Sequence, residues 1–242
     1  MKKLIWLILF ITGCGLVDSD VAPHSPLIVL TFDDGHESIY NLAFPEMQKY
    51  GYVGVNFDPS GHINISSHMT LENLLEIEQA GWETGGHSVT HANLTTIPLD
   101  SAKSEIRMNY EQLVAYGLKH RCFAYPAGHS NYEIDKYILK YFEIIRTTQD
   151  VRYRDPLDIG KLGYVQAQEN DDGNSLLMRV AHGITEGESV IIFGFHFFTE
   201  GEPTFITMLK MSAFRELLAG IHKRNLEVVT LSEAVDRLKN PH

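Results

Sequence analysis

The stretch Leu30-Thr31-Phe32-Asp33-Asp34-Gly35 closes an apolar run (Leu27, Ile28, Val29, Leu30) with two adjacent carboxylates and a glycine. Four apolar residues bounded by a turn signal read as a buried strand, and Asp-Asp-Gly then delivers two charged side chains to the rim of a sheet. Charged groups just beyond the C-terminal end of a strand point to chemistry more readily than to packing. An Asp-Gly pair also makes ordinary turns. The rest of the chain must therefore decide between the two.

Strand and helix patterns alternate on both sides of this segment. Strands are expected at Leu27–Phe32, Tyr52–Phe57, Gly81–Thr84, Arg121–Tyr125, Phe142–Thr147, Leu162–Gln166, Val190–Phe195 and Leu226–Thr230. Helical patterns lie between them: 37–50, 71–80 with Thr70 as N-cap, 100–118, 132–141, 175–181, 206–222 and a terminal 231–238. On the second of these helices, Leu71, Leu74, Leu75 and Ile77 share one face. Seven or eight βα units in one domain predict a parallel sheet closed, or nearly closed, into a barrel.

The ends are different. Met1-Lys2-Lys3 is a basic leader, and Leu4 to Ile11 is an apolar run long enough for the core of a signal peptide but too short to span a bilayer. Ile11-Thr12-Gly13-Cys14 resembles the lipobox of bacterial lipoproteins, whose cysteine becomes the acylated first residue; the alternative is an ordinary secretory signal with an incidental Cys14. Residues 1–14 thus read as a signal, 15–24 as a polar tether and 25–242 as one catalytic domain. The expectation is an exported protein, held on a membrane surface through a lipid on Cys14 rather than through a spanning helix. The other cysteine, Cys122, has no second partner for an intramolecular disulfide and reads as a buried thiol.

The chain carries 20 basic and 31 acidic residues, a formal charge of −11. Without Lys2 and Lys3 the balance is 18 to 31, or −13. So acidic a surface argues against nucleic acid and against electrostatic docking on anionic lipid. A monomer is expected.

Three further segments carry chemistry, each at the end of an expected strand. Gly85-Gly86-His87-Ser88-Val89-Thr90-His91 places two histidines four apart, where one helical turn would aim both at one metal; the glycines allow the backbone to approach a site closely. Two histidines and one carboxylate leave an open coordination position, with Asp34 the natural third ligand and Asp33 free to act as a base. Cys122-Phe123-Ala124-Tyr125-Pro126-Ala127-Gly128 ends in a Pro-x-Gly turn. It is either a plain turn with Tyr125 as packing, or a site in which the Ala127 N–H stabilises an oxyanion. Ile191-Ile192-Phe193-Gly194-Phe195-His196 sets one histidine at the end of the most apolar strand, either as a core residue or as a general acid.

Together, in this order, the four segments resemble the polysaccharide deacetylase family, the NodB-homology domain of carbohydrate esterase family four. The resemblance spans residues 27 to about 198 and implies a distorted (β/α)7 barrel. It implies Asp33 as base, Asp34, His87 and His91 as metal ligands, Tyr125-Pro126-Ala127-Gly128 as groove and oxyanion site, and His196 as acid. The metal it implies is divalent, Zn²⁺ first, with Co²⁺, Ni²⁺ or Fe²⁺ also accepted by such ligands. The implied reaction is hydrolysis of the N-acetyl groups of a glycan to acetate and free amine.

Two departures from the family pattern stand out. Many members carry an arginine two residues before the proline of the third motif, where this chain has Ala124, and many carry an Asp-Trp pair before the last strand, whereas the tryptophans here are Trp6 and Trp82. Arg146, at the end of the strand after Ala124, is placed to take over the arginine's role of tuning the base. Three other readings compete. A mononuclear Fe(II) oxygenase shares the two-histidine, one-carboxylate triad but leaves Asp33 and His196 unused. A sugar-binding surface lipoprotein on an inactive scaffold would account for the missing motif. A deacylase of the same fold would act on an amide outside polysaccharides.

Overall fold

A computed structural model describes residues 25–149 and 162–239. The expected signal and tether lie outside the described residues. No described helix is long and apolar enough to cross a membrane.

Seven parallel strands form one curled sheet. In chain order they are β1 (Leu27–Asp33), β2 (Val55–Asp58), β3 (Glu83–Gly86), β4 (Cys122–Ala124), β5 (Ile144–Arg146), β6 (Val165–Gln166) and β7 (Val190–Phe195). Their spatial order is β5-β4-β3-β2-β1-β7-β6. The two edges are joined by one short segment. The Leu162 N–H donates to Ile145 O at 3.0 Å and its carbonyl accepts from the Thr147 N–H at 2.5 Å, which ties it to β5; three residues on, Val165 pairs with Phe193 of β7. The chain between 162 and 167 thereby closes the barrel that the alternation of elements predicts. It reads weakly in sequence because each edge receives so few residues.

Helices α1 (Phe44–Gln48), α2 (Leu71–Gln79), α3 (Leu99–Tyr116), α4 (Tyr132–Ile138), α5 (Gly173–Thr185) and α6 (Met211–Lys223) surround the sheet. Side chains on β1 alternate as a strand requires. Ile28, Leu30 and Phe32 pack outward against the helices, and Val29 joins an inner cluster with Phe57, Ala124 and Ile192. Phe32 anchors the outer layer, stacked 4.9 Å from Trp82 and 5.4 Å from Phe195. The terminal helix α7 (Leu231–Lys239) sends Leu231, Ala234 and Val235 into the inner cluster and plugs the N-terminal end of the barrel. There the Ser232 N–H donates to the Glu83 carboxylate, which also accepts from the buried thiol of Cys122. An anion at the start of a helix is favoured by its exposed N–H groups.

Several expectations change in detail. The 37–50 helix opens into a π-helical turn at Ile39–Ala43 before α1. Pro45 has no N–H to give to the preceding turn, and the Phe44 N–H bonds back to Ile39 instead. Thr70 caps α2 through a reciprocal bond with Asn73, but only Leu74 and Ile77 of its four expected apolar positions are buried. The 206–222 helix begins at Met211. Residues before it form β9 (Met208–Lys210), paired in parallel with β8 (Phe197–Thr199) in a separate two-stranded sheet. The expected last strand is reduced to one bridge, Val228 to Ile28.

Candidate active site

Every predicted chemical segment emerges at the C-terminal end of the barrel. Asp33 is the last residue of β1, and Asp34 turns away at φ 70°, followed by Gly35 at φ 67°. A side chain at Gly35 would meet Asp58 Oδ1 at 1.4 Å, so glycine alone fits between the loop and the end of β2. Ser88, His91 and Ala127 also hold positive φ, at 61°, 60° and 58°. Left-handed backbone at non-glycine residues costs of order 1–3 kcal/mol each and persists only where the surroundings impose it. Here four such residues crowd one rim.

His87 and His91 converge without a helix. The chain after β3 is irregular, and the left-handed turns at Ser88 and His91 bring the two rings to 4.9 Å between centroids. The helical turn read from their spacing is therefore replaced by a strained loop. The His87 Nδ1–H donates to the Ala124 carbonyl at 2.8 Å, which leaves the lone pair of Nε2 facing Asp34 Oδ1 at 3.4 Å. His91 Nε2 lies 3.1 Å from the same oxygen. Asp34 Oδ1 is buried yet accepts no well-aligned hydrogen bond.

This donor set fits a metal. Ligand atoms held at about 2.0–2.1 Å around a tetrahedral ion lie about 3.3 Å apart, the separation seen here. Among the described residues this is the one group of three or more such side chains whose ligand atoms all lie within 4.8 Å of one another. Burial pushes the Asp34 carboxyl up, but the charge and hydrogen bonds that the two imidazoles offer when they carry a proton outweigh it and hold the carboxyl well below the usual range. The same contact raises His91.

Asp33 has different neighbours. Its Oδ1 accepts from the Arg146 guanidinium, and its Oδ2 lies 3.7 Å from His196 Nε2. Arg146 is wholly buried, its guanidinium carbon 4.8 Å from the centroid of the Phe57 ring and 4.5 Å from that of Tyr164. A planar cation between two ring faces is a position a lysine would not fill. Burial lowers the affinity of His196 for a proton, and its Nδ1 has no hydrogen-bond partner among the described residues.

Ala127 lines the cavity beside Tyr125, whose hydroxyl donates to Asp135 Oδ1 at 2.6 Å. Pro126 is buried beneath the turn, and Gly128 has no room for a side chain because Thr148 Oγ1 would lie 1.9 Å away. The cavity measures about 310 Å³ and also holds Asp33, Asp34, His87, His91 and His196. Sequence reasoning missed four of its lining residues: Thr148, Tyr164, Gln166 and Thr207. Alternation along 162–166 would have placed Tyr164 and Gln166 on one face. A larger groove of about 650 Å³ lies at the opposite end, around Glu83, Arg121 and Ser232. Arg121 is paired there with Asp236 and Glu143, and among the described residues no cluster of the metal-binding kind is found in it.

The geometry agrees with comparisons to known proteins. The family model described as polysaccharide deacetylase matches residues 20–142. A putative polysaccharide deacetylase, YxkH of Bacillus subtilis (strain 168), is 27% identical over 121 residues; the match covers 49% of this chain and 43% of that relative. Among solved structures, the Streptococcus pyogenes deacetylase PplD in complex with acetate superposes with a TM-score of 0.58 at 23% identity, covering 62% of this chain and 68% of that one. The Xyl-CE4 domain of a multidomain xylanase from the hindgut metagenome of Trinervitermes trinervoides gives 0.62 at 19% identity, covering 90% and 93%. At these identities the structural likenesses establish the fold, that of a distorted (β/α)7 barrel. The family match reaches over half of the chain, and the chain belongs to the polysaccharide deacetylase family.

Proposed function

We propose that this protein is a metal-dependent hydrolase that removes N-acetyl groups from a glycan of N-acetylglucosamine type, releasing acetate and leaving a free amine. The observation that carries the reading is the division of labour between adjacent carboxylates. Asp34 faces two imidazole nitrogens, while Asp33 faces Arg146 and His196.

Asp34, His87 and His91 would hold the ion, Zn²⁺ being the first expectation for this ligand set. When bound, it lowers the pKa of a coordinated water toward about 7 and polarises the amide carbonyl. Asp33 accepts the proton of the attacking water, held in place by its contact with Arg146. The N–H of Ala127 is the donor assigned to the oxygen that gains charge as the carbonyl carbon becomes tetrahedral. His196 delivers a proton to the departing nitrogen. Its Nε2 lies 3.7 Å from Asp33 Oδ2, and the proton taken from water moves on by way of the imidazole once the two groups close to hydrogen-bond distance. Water is thus split across the C–N bond, its OH ending in acetate and its proton on the amine. The acidic chain suits a neutral or cationic substrate. Export and attachment through a lipid on Cys14 complete the proposal.

The test is acetate release from a panel of N-acetylated glycans by protein lacking residues 1–14. Release that chelator abolishes and Zn²⁺ restores supports the reading. With metal demonstrably bound, failure on every glycan would sink it.

A further inference from the structure

The loop that carries His87 and His91 has no helical hydrogen bonds of its own, yet the three residues between the histidines are gripped from outside. The Val89 and Thr90 N–H groups both donate to Glu105 Oε2 at 2.9 Å, and the Thr90 hydroxyl donates to Oε1 of the same carboxylate at 3.0 Å. The Ser88 carbonyl accepts from the Asn109 side-chain amide at 2.8 Å and from the Ser60 N–H at 3.1 Å. The Val89 carbonyl accepts from the Gly61 N–H at 2.9 Å.

Glu105, Asn109 and Gln112 follow one another on α3 at steps of four and three, which sets them on one face of the helix. Asn109 is wholly buried, as are Ile106 and Leu113 on the same helix. A buried amide costs stability unless it is bonded. Here its NH2 group is spent on the loop and its brace: besides Ser88 it donates to Ser60 Oγ at 2.9 Å, and that hydroxyl donates to Gln112 Oε1 at 2.6 Å.

The two histidines depend on this grip unequally. His87 is buried and has its own anchor, the Ala124 carbonyl. The His91 side chain is 37% exposed and reaches Asp34 from a left-handed backbone at φ 60°. Such a conformation persists only where the surroundings impose it. The gripped residues run from one left-handed position, Ser88, up to the other, His91. A loop released from α3 would relax toward ordinary backbone angles and carry the His91 ring away from Asp34.

We propose that Glu105 and Asn109 are positioning residues that aim His91, so that α3 sets how tightly the metal is held. The proposal rests on the reading of Asp34, His87 and His91 as metal ligands and adds what imposes the turn between them.

The experiment uses the full chain with Zn²⁺ alone as the probe, its affinity read by competition with a chromophoric chelator. Glu105→Ala should weaken Zn²⁺ binding roughly tenfold to a hundredfold, the usual effect of removing a group that orients a ligand. Glu105→Gln keeps one acceptor oxygen and should fall between. Arg107→Ala, which breaks an exposed pair with Glu111 on the same helix, is the control that leaves affinity alone. The deciding comparison is made in a His91→Ala background, where the ligand to be aimed is gone. There Glu105→Ala should change the affinity by less than about twofold. Wild-type affinity in Glu105→Ala, or the same loss with and without His91, overturns the proposal, because a merely structural carboxylate would act equally in both backgrounds. The metal reading is judged separately, by whether the wild type binds Zn²⁺ and Asp34→Asn does not. A wild type that binds none sinks that reading and the aiming role with it.

Discussion

Replacing Arg146 by methionine isolates the contact on which the proposed base depends. The guanidinium is wholly buried, donates to Asp33 Oδ1 and lies between the rings of Phe57 and Tyr164. Methionine keeps most of the length and the apolar contact but removes the charge, so Asp33, itself only 3% exposed, is left without its cation. Breaking one side of a buried pair costs about 3–5 kcal/mol, because the orphaned charge cannot recover its hydration. For a domain of this size each kcal/mol moves the midpoint by about 2–4 °C, so Arg146→Met should melt roughly 6–20 °C lower. Adding Asp33→Asn removes the orphaned charge. The double variant should therefore recover at least about 2 kcal/mol over the single one, a coupling that independent sites do not show. Arg146→Lys should recover only part, since a lysine carries the charge but cannot stack as a plane. The assay is urea unfolding at constant pH in chelator, which keeps metal binding out of the comparison. Rates measured with metal present add a second readout. Loss of orientation at the base should lower kcat/KM by about 10²-fold. If Arg146→Met unfolds within about 1 kcal/mol of wild type, the double variant is no more stable than the single one and turnover is unchanged, then Arg146 neither stabilises nor positions Asp33.

Two more predictions follow from neighbouring groups. Asp34→Asn should lose metal, read by elemental analysis after dialysis, whereas Asp33→Asn should retain the metal and lose about 10²–10⁴-fold in rate; equal metal loss in both would overturn the assignment of roles. Asp58, fully buried at the end of β2 and bonded to Asn56, has its carboxyl pushed up by burial to about 7. Its folded pKa thus lies above its unfolded one. Below about pH 4 it is protonated in both states and opposes nothing; between about 4 and 7 the unfolded chain ionises first, so stability falls as pH rises. Three pH units correspond to a cost on the order of 4 kcal/mol. The stability gap between Asp58→Asn and wild type should therefore widen across that window in urea melts with chelator, and a gap constant with pH would contradict it.

What the sequence revealed, and what it hid, follows from how local each feature is. β1 and β7 were legible because a parallel strand buried on both faces must be apolar along its length, and Leu27–Leu30 and Val190–Phe195 are. The β8–β9 pair was not legible, since Phe197–Thr199 and Met208–Lys210 are three residues each and their pairing depends on a partner eleven positions away. The same distinction runs through the site. The spacing of His87 and His91 announced a pair, but the pair is aimed by left-handed turns at Ser88 and His91, which periodicity does not encode. Arg146 was reachable by asking which basic residue ends a strand next to Ala124. Asp58 was not, because its surroundings exist only once Gly35 has turned the β1 loop back against β2.

That difference bears on how this chain departs from its family's motifs. An arginine placed two residues before Pro126 would sit where Ala124 now is, on β4; Arg146 occupies the paired position on β5, Ala124 and Arg146 being direct partners in the sheet. Moving the cation by one strand leaves a guanidinium on the same carboxylate, provided the new place can bury it. Phe57 and Tyr164 supply that place with two ring faces. If this relocation is what preserves function, restoring an arginine at position 124 in the Arg146→Met background should rescue unfolding stability and turnover together. Rescue of stability without turnover would mean that the charge alone can move, while the orientation of Asp33 belongs to β5.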